Sequence, residues 1–109
     1  MYKREDELYI KDIIQAIEKI ESYTEGFSFN KFTSDTKTID AVLRNLSVIG
    51  EAANNISEET KEAFKDVPWT EIIGMRNKMI HEYFGVDEEI LWKTIKEDLP
   101  VLKEQIIKL

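Results

Sequence analysis

The stretch D-T-K-T-I-D-A-V-L-R-N-L-S-V-I-G-E-A-A-N-N-I, residues 35–56, decides the fold class. Ile39, Val42, Leu43, Leu46, Ile49, Ala53 and Ile56 recur at i, i+3, i+4 and i+7 spacing over several turns, so the segment is an amphipathic helix whose apolar face must be buried against other elements. Upstream, Ile10, Ile13, Ile14, Ile17 and Ile20 trace a second such face from Asp6 to about Thr24, with Gly26 as the stop. The intervening F-S-F-N-K-F-T-S-D alternates poorly and reads as a loop or short turn lying on the core. Downstream, Ser57 followed by Glu58 and Glu59 caps a short helix to about Lys65. Pro68 suits the first position of a helix running from Trp69 to about Phe84 and stopping at Gly85. Asp87 caps the last helix, whose seam Trp92, Ile95, Leu99, Leu102, Ile106, Leu109 packs along a neighbour, and Pro100 should kink it near Lys96. No alternating β pattern competes. The expected architecture is an all-α, antiparallel up-and-down helical bundle of four main helices plus a short one.

The chain's 109 residues allow one core, so residues 1–109 are expected to form a single domain. No apolar run approaches the ~18 residues of a membrane span, which points to a soluble, cytoplasmic protein with no membrane partner. The absence of cysteine excludes a disulfide scaffold, a thiolate zinc site and a cysteine nucleophile. A net charge of −7 excludes a broad electrostatic grip on phosphate backbone, so any nucleic-acid role must rest on a local site. Of the segments 1–57, 58–68, 69–85 and 86–109, only 69–85 carries no net negative charge, and it holds the only histidine, His81, and one of three arginines, Arg76.

On a wheel of about 100° per residue, Ile72, Ile73, Met75, Met79, Ile80 and Phe84 fill about half the circle. Arg76 and Tyr83 fall inside that arc, about 20° apart and two turns along the axis, while Asn77 and His81 are i, i+4 neighbours at its edge. A guanidinium in an apolar stripe needs a partner or a cleft. The structural alternative is an ion pair with Glu51 of the preceding helix, where Ser47, Glu51 and Asn54, with Arg44 nearby, form a polar row suited to a solvated or interface flank. One histidine and no cysteine make a metal site unexpected, and no phosphate-binding glycine loop or nucleophile elbow is present, so no cofactor is expected. These residues suit metal-free phosphodiester cleavage, in which a histidine moves the proton of a ribose 2′-OH and an arginine holds the charge that builds on phosphorus. The reaction wants an acid and a base. Two copies of Arg76 and His81 in the cleft of a two-fold homodimer would supply both.

The stretch W-T-E-I-I-G-M-R-N-K-M-I-H-E-Y-F-G closely resembles the signature of the HEPN superfamily, and specifically the HepT-like toxins of the MNT–HepT toxin–antitoxin modules, with the motif R-x4-H-x-Y as Arg76, His81 and Tyr83. The R-N-L-S-V-I-G-E-A-A-N-N-I run at 44–56, the V-P-W entry and the G-V-D start of the last helix share the resemblance. It implies a HEPN-like bundle and a metal-independent endoribonuclease, part of a type II-like toxin–antitoxin module, that cuts RNA at a homodimer cleft. Arg76 and His81 would be catalytic and Asn77 supporting. Tyr83 would be the tyrosine to which an MNT-type nucleotidyltransferase antitoxin attaches AMP, placing negative charge where the RNA phosphate should sit. The alternative expectation is a catalytically silent helical module that binds a nucleotidyltransferase partner or a nucleotide.

Overall fold

The computed structural model describes residues 4–81 and 87–109, with side-chain surroundings for 5–75 and 87–109. Its elements are α1 (Arg4–Thr24), α2 (Phe29–Thr33), α3 (Thr36–Asn55), α4 (Glu58–Ala63), α5 (Trp69–His81), α6 (Glu88–Lys93), a π-helical turn (Thr94–Asp98) and α7 (Leu99–Ile107). The chain is an all-α bundle, as the periodicities predict. No helix among the described residues is long and apolar enough to cross a membrane.

α3 is the central element. It packs on α1 along one side and on α5 along the other, and α7 closes against α1. The isoleucines of α1 and Val42, Leu46, Ile49 and Ala53 of α3 meet in one core, joined by Ile72 of α5 and by Leu91, Ile95, Leu99, Leu102 and Ile106 of the C-terminal helices. α1 ends at Thr24, whose hydroxyl donates to the Ile20 carbonyl, and Gly26 at φ +75° supplies the left-handed residue that turns the chain.

Four features differ from the sequence reading. Residues 29–33, expected as a loop or turn, form a short helix because the Ser28 hydroxyl accepts from the Lys31 amide and Phe32 is wholly buried. The Phe32 ring lies 5.1 Å from that of Trp92, which ties α2 to α6. The last helix is not one kinked rod. The Leu99 amide donates to the Thr94 carbonyl five residues back, so a π turn precedes Pro100 and absorbs the bend that its missing N–H and bulky ring impose. Ile95 within that turn and Leu99 just after it both stay buried, so the seam survives it. Pro68 stands just before α5 and not at its first position: its carbonyl accepts the first intrahelical bond, from Ile72. The expected stop at Gly85 lies outside the described residues.

α1 already includes Arg4, so Asp6, its expected start, sits within the helix and is buried. Asp6 Oδ2 accepts from the hydroxyls of Ser57 and Thr60, each at 2.6 Å, and Oδ1 accepts from the Ser57 amide at 3.0 Å. The Ser57 hydroxyl in turn caps the Thr60 amide, as its position before two glutamates predicts. The carboxylate thus pins the start of α4 to α1. Asp6→Asn turns one acceptor oxygen into a donor facing two hydroxyls, and is expected to cost about 1–3 kcal/mol, read as a lower thermal midpoint.

Asp35 caps α3 by accepting from the Thr38 amide at 3.2 Å and the Thr38 hydroxyl at 2.9 Å. These bonds, the backbone one foremost, hold its carboxyl below the ordinary 3.8. A lowered carboxyl pKa contributes stability that is present above the unfolded-state value and lost as pH falls through the folded-state value. The difference in thermal midpoint between the wild type and Asp35→Ala is therefore expected to be full at neutral pH and to shrink as pH falls below about 4.

Candidate functional site

α5 carries Arg76, Asn77 and His81. Trp69 and Ile72 are buried on α5, Ile73 and Met75 are half-buried, and Thr70, Glu71 and Gly74 are exposed. The loop before α5 fixes its start, since the Trp69 indole donates to the Phe64 carbonyl at 3.0 Å. The helical backbone continues through Arg76, Asn77 and His81. Position 76 follows Ile72 by one turn and so continues the stripe of Trp69 and Ile72 that faces the core. Positions 77 and 81 continue a different stripe, that of Thr70 and Gly74, at spacings of four, three and four. A Cβ added at Gly74 would meet nothing within 4 Å, so that stripe starts on open surface. Five residues of helix separate positions 76 and 81 by about 140° around the axis. The structure therefore places Arg76, Asn77 and His81 on one helix but divides them between two of its faces. Tyr83 lies outside the described residues.

α3, the helix on which α5 packs, presents a second polar feature. A groove of about 520 Å³ runs between α1 and α3, lined by Tyr9 and Asp12 of α1 and by Arg44, Ser47, Val48, Glu51, Ala52 and Asn55 of α3. Of the expected polar row, Arg44, Ser47 and Glu51 line this groove. Asn54 does not, because the register of 44, 47, 48, 51 brings Asn55 to this side. Tyr9 and Asp12 escaped the sequence reading. They stand three apart on α1 beside its isoleucine stripe, and only the packing of α1 on α3 gives them a common wall. Among the described residues, no group of three or more His, Asp or Glu side chains is arranged to hold a metal ion.

The model of the family described as Ribonuclease HepT-like matches residues 13–109 of this chain. A protein of Thermococcus cleftensis that carries the name Probable ribonuclease HepT is 49% identical over 107 residues, covering 98% of this chain and 97% of that protein. A protein of Caldanaerobacter subterraneus subsp. tengcongensis named as an RNase is 43% identical over 98 residues, 90% of this chain and 88% of that protein. Another named as an RNase, from Methanocaldococcus jannaschii, is 38% identical over 106 residues, 97% of each chain. No solved structure matches the chain.

Proposed function

Because this chain belongs to the HepT-like ribonuclease family, we propose that it is a metal-independent endoribonuclease toxin that cuts RNA through Arg76 and His81 at the cleft of a homodimer. The observation that carries the reading is the Arg76 and His81 pair of the R-x4-H-x-Y motif on α5, with position 81 in line with exposed Thr70 and Gly74 and position 76 in line with buried Ile72. A separation of about 140° suits a cleft completed by a second copy better than a site within one copy.

In this mechanism one His81 imidazole takes the proton of a ribose 2′-OH, whose oxygen attacks the adjacent phosphorus. The bond from phosphorus to the 5′-oxygen breaks, the His81 of the other subunit protonates that oxygen, and a 2′,3′-cyclic phosphate and a 5′-hydroxyl result. The Arg76 guanidiniums stabilise the charge on the phosphoryl oxygens, and Asn77 supports His81 from one turn before it. The chain acts within a type II-like toxin–antitoxin module in the cytoplasm. Its partner is an MNT-type nucleotidyltransferase antitoxin that transfers AMP from ATP to the Tyr83 hydroxyl and releases pyrophosphate, which adds negative charge beside the substrate phosphate.

Two experiments test the assembly and its control. If two His81 side chains act in one cleft, equal amounts of wild-type and His81→Ala subunits, mixed and allowed to exchange, should show about half the activity of the same wild-type protein alone, because half the wild-type subunits sit in mixed dimers. Undiminished activity after verified exchange, or a monomer in sedimentation at micromolar concentration, contradicts the shared site. Incubation with the nucleotidyltransferase and ATP should raise the mass of the wild type by one or more AMP groups and suppress cleavage, and Tyr83→Phe should show neither change.

A further inference from the structure

We infer that the groove between α1 and α3 is a base-binding subsite that takes an unpaired guanine of the RNA, with Tyr9 as the stacking surface and Arg44 and Asp12 as the reading groups. The inference rests on the reading of the chain as a ribonuclease and adds to it a determinant of where RNA is cut. Arg44 and Asp12 are both exposed in the groove, and neither has an ion-pair or hydrogen-bond partner among the described residues. They come from different helices, so the groove offers a fork of donors from α3 and a pair of acceptors from α1. Tyr9 is half-buried and packed against the core, which holds its ring in place as a flat wall.

The charge of the groove selects the kind of ligand. Among the lining residues Arg44 faces the carboxylate of Asp12, an opposite charge that offsets its own, so the groove suits a neutral ring that can bond to both. Single-stranded RNA is read through such rings, stacked on aromatic side chains and hydrogen-bonded along their edges. Guanine is the base that meets both reading groups in full. Its O6 and N7 accept bidentately from an arginine, and its N1–H and N2–H2 donate to a carboxylate. Adenine and uracil each leave one of the two groups half-used. α3, which carries Arg44, also packs against α5, so the groove and the helix of Arg76 and His81 share one supporting element.

The test uses uncharged nucleosides, which bypass cleavage and any phosphate contact. Guanosine titrated into the full-length protein should shift backbone amide resonances of α1 and α3 around Tyr9, Asp12, Arg44 and Asn55. Adenosine, cytidine and uridine should bind at least tenfold more weakly. Arg44→Ala and Asp12→Asn should each raise the guanosine dissociation constant about tenfold or more, with a thermal midpoint matching the wild type because both side chains are exposed. On RNA, both variants should also lose a preference for cutting near unpaired guanine. Equal shifts with all four nucleosides, shifts elsewhere, or a guanosine affinity unchanged by both substitutions would overturn the subsite. Guanosine binding in a protein that cuts no RNA would overturn the ribonuclease reading instead, so the two failures are separable.

Discussion

Phe32→Ala is expected to destabilise the fold by about 3–5 kcal/mol, the range for removing a fully buried aromatic ring and leaving a cavity. For a domain of this size each kcal/mol lowers the thermal midpoint by about 4–8 °C, so the variant should melt far below the wild type. The reason is local. α2 is five residues long and has little helical stability of its own, and Phe32, with no exposed surface, is its anchor into the core. The ring also stacks on Trp92 at 5.1 Å, with Phe29 at 6.3 Å from the same indole, so its loss loosens the start of the C-terminal helices as well as the link between α1 and α3. Phe32→Leu, which keeps most of the volume, should cost about 1 kcal/mol. Thermal unfolding of the two variants checks the contrast, and equal midpoints would show that the ring is not what holds α2 in place.

His81→Ala and Arg76→Ala are each expected to lower RNA cleavage by about 10²–10³-fold or more, the scale for losing a general acid–base group or a charge-stabilising donor. Their effects on stability should diverge. Position 81 continues the exposed stripe of Thr70 and Gly74, so its truncation should barely move the thermal midpoint. In the sequence Arg76 falls inside the apolar arc of its helix, so Arg76→Ala should shift the midpoint measurably and Arg76→Lys less. A collapse of the His81→Ala fold would assign that residue a structural role and favour the silent-module reading.

The helices were legible because their apolar residues repeat at the helical period and their caps are of ordinary types. Asp35, Ser57 and Asp87 each accept the amide bonds that their position before a helix predicts. What stayed illegible depends on distant partners. Phe27, Phe29 and Phe32 follow no single period, and α2 becomes a helix because Phe32 finds a cavity beside Trp92, sixty residues away in sequence. Asp6 reads as an acid in a first helical turn, and nothing in its neighbourhood announces the hydroxyls of Ser57 and Thr60. Pro100 signals a break in the helix, but whether the backbone kinks or inserts a π turn is decided by keeping Ile95 and Leu99 both in the core. The motif residues were visible as a pattern of residue types in the one neutral segment. The groove between α1 and α3 was not, because Tyr9 and Asp12 join Arg44 only through the packing of α1 on α3.

The most direct measurement is the cleavage of RNA by the purified protein in excess EDTA, with His81→Ala of matched thermal midpoint assayed beside it. The account predicts that the wild type cuts RNA to 2′,3′-cyclic phosphate ends with EDTA present and that the variant is at least a hundredfold slower. Cleavage that stops in EDTA, or that proceeds equally in the folded His81→Ala protein, would contradict it.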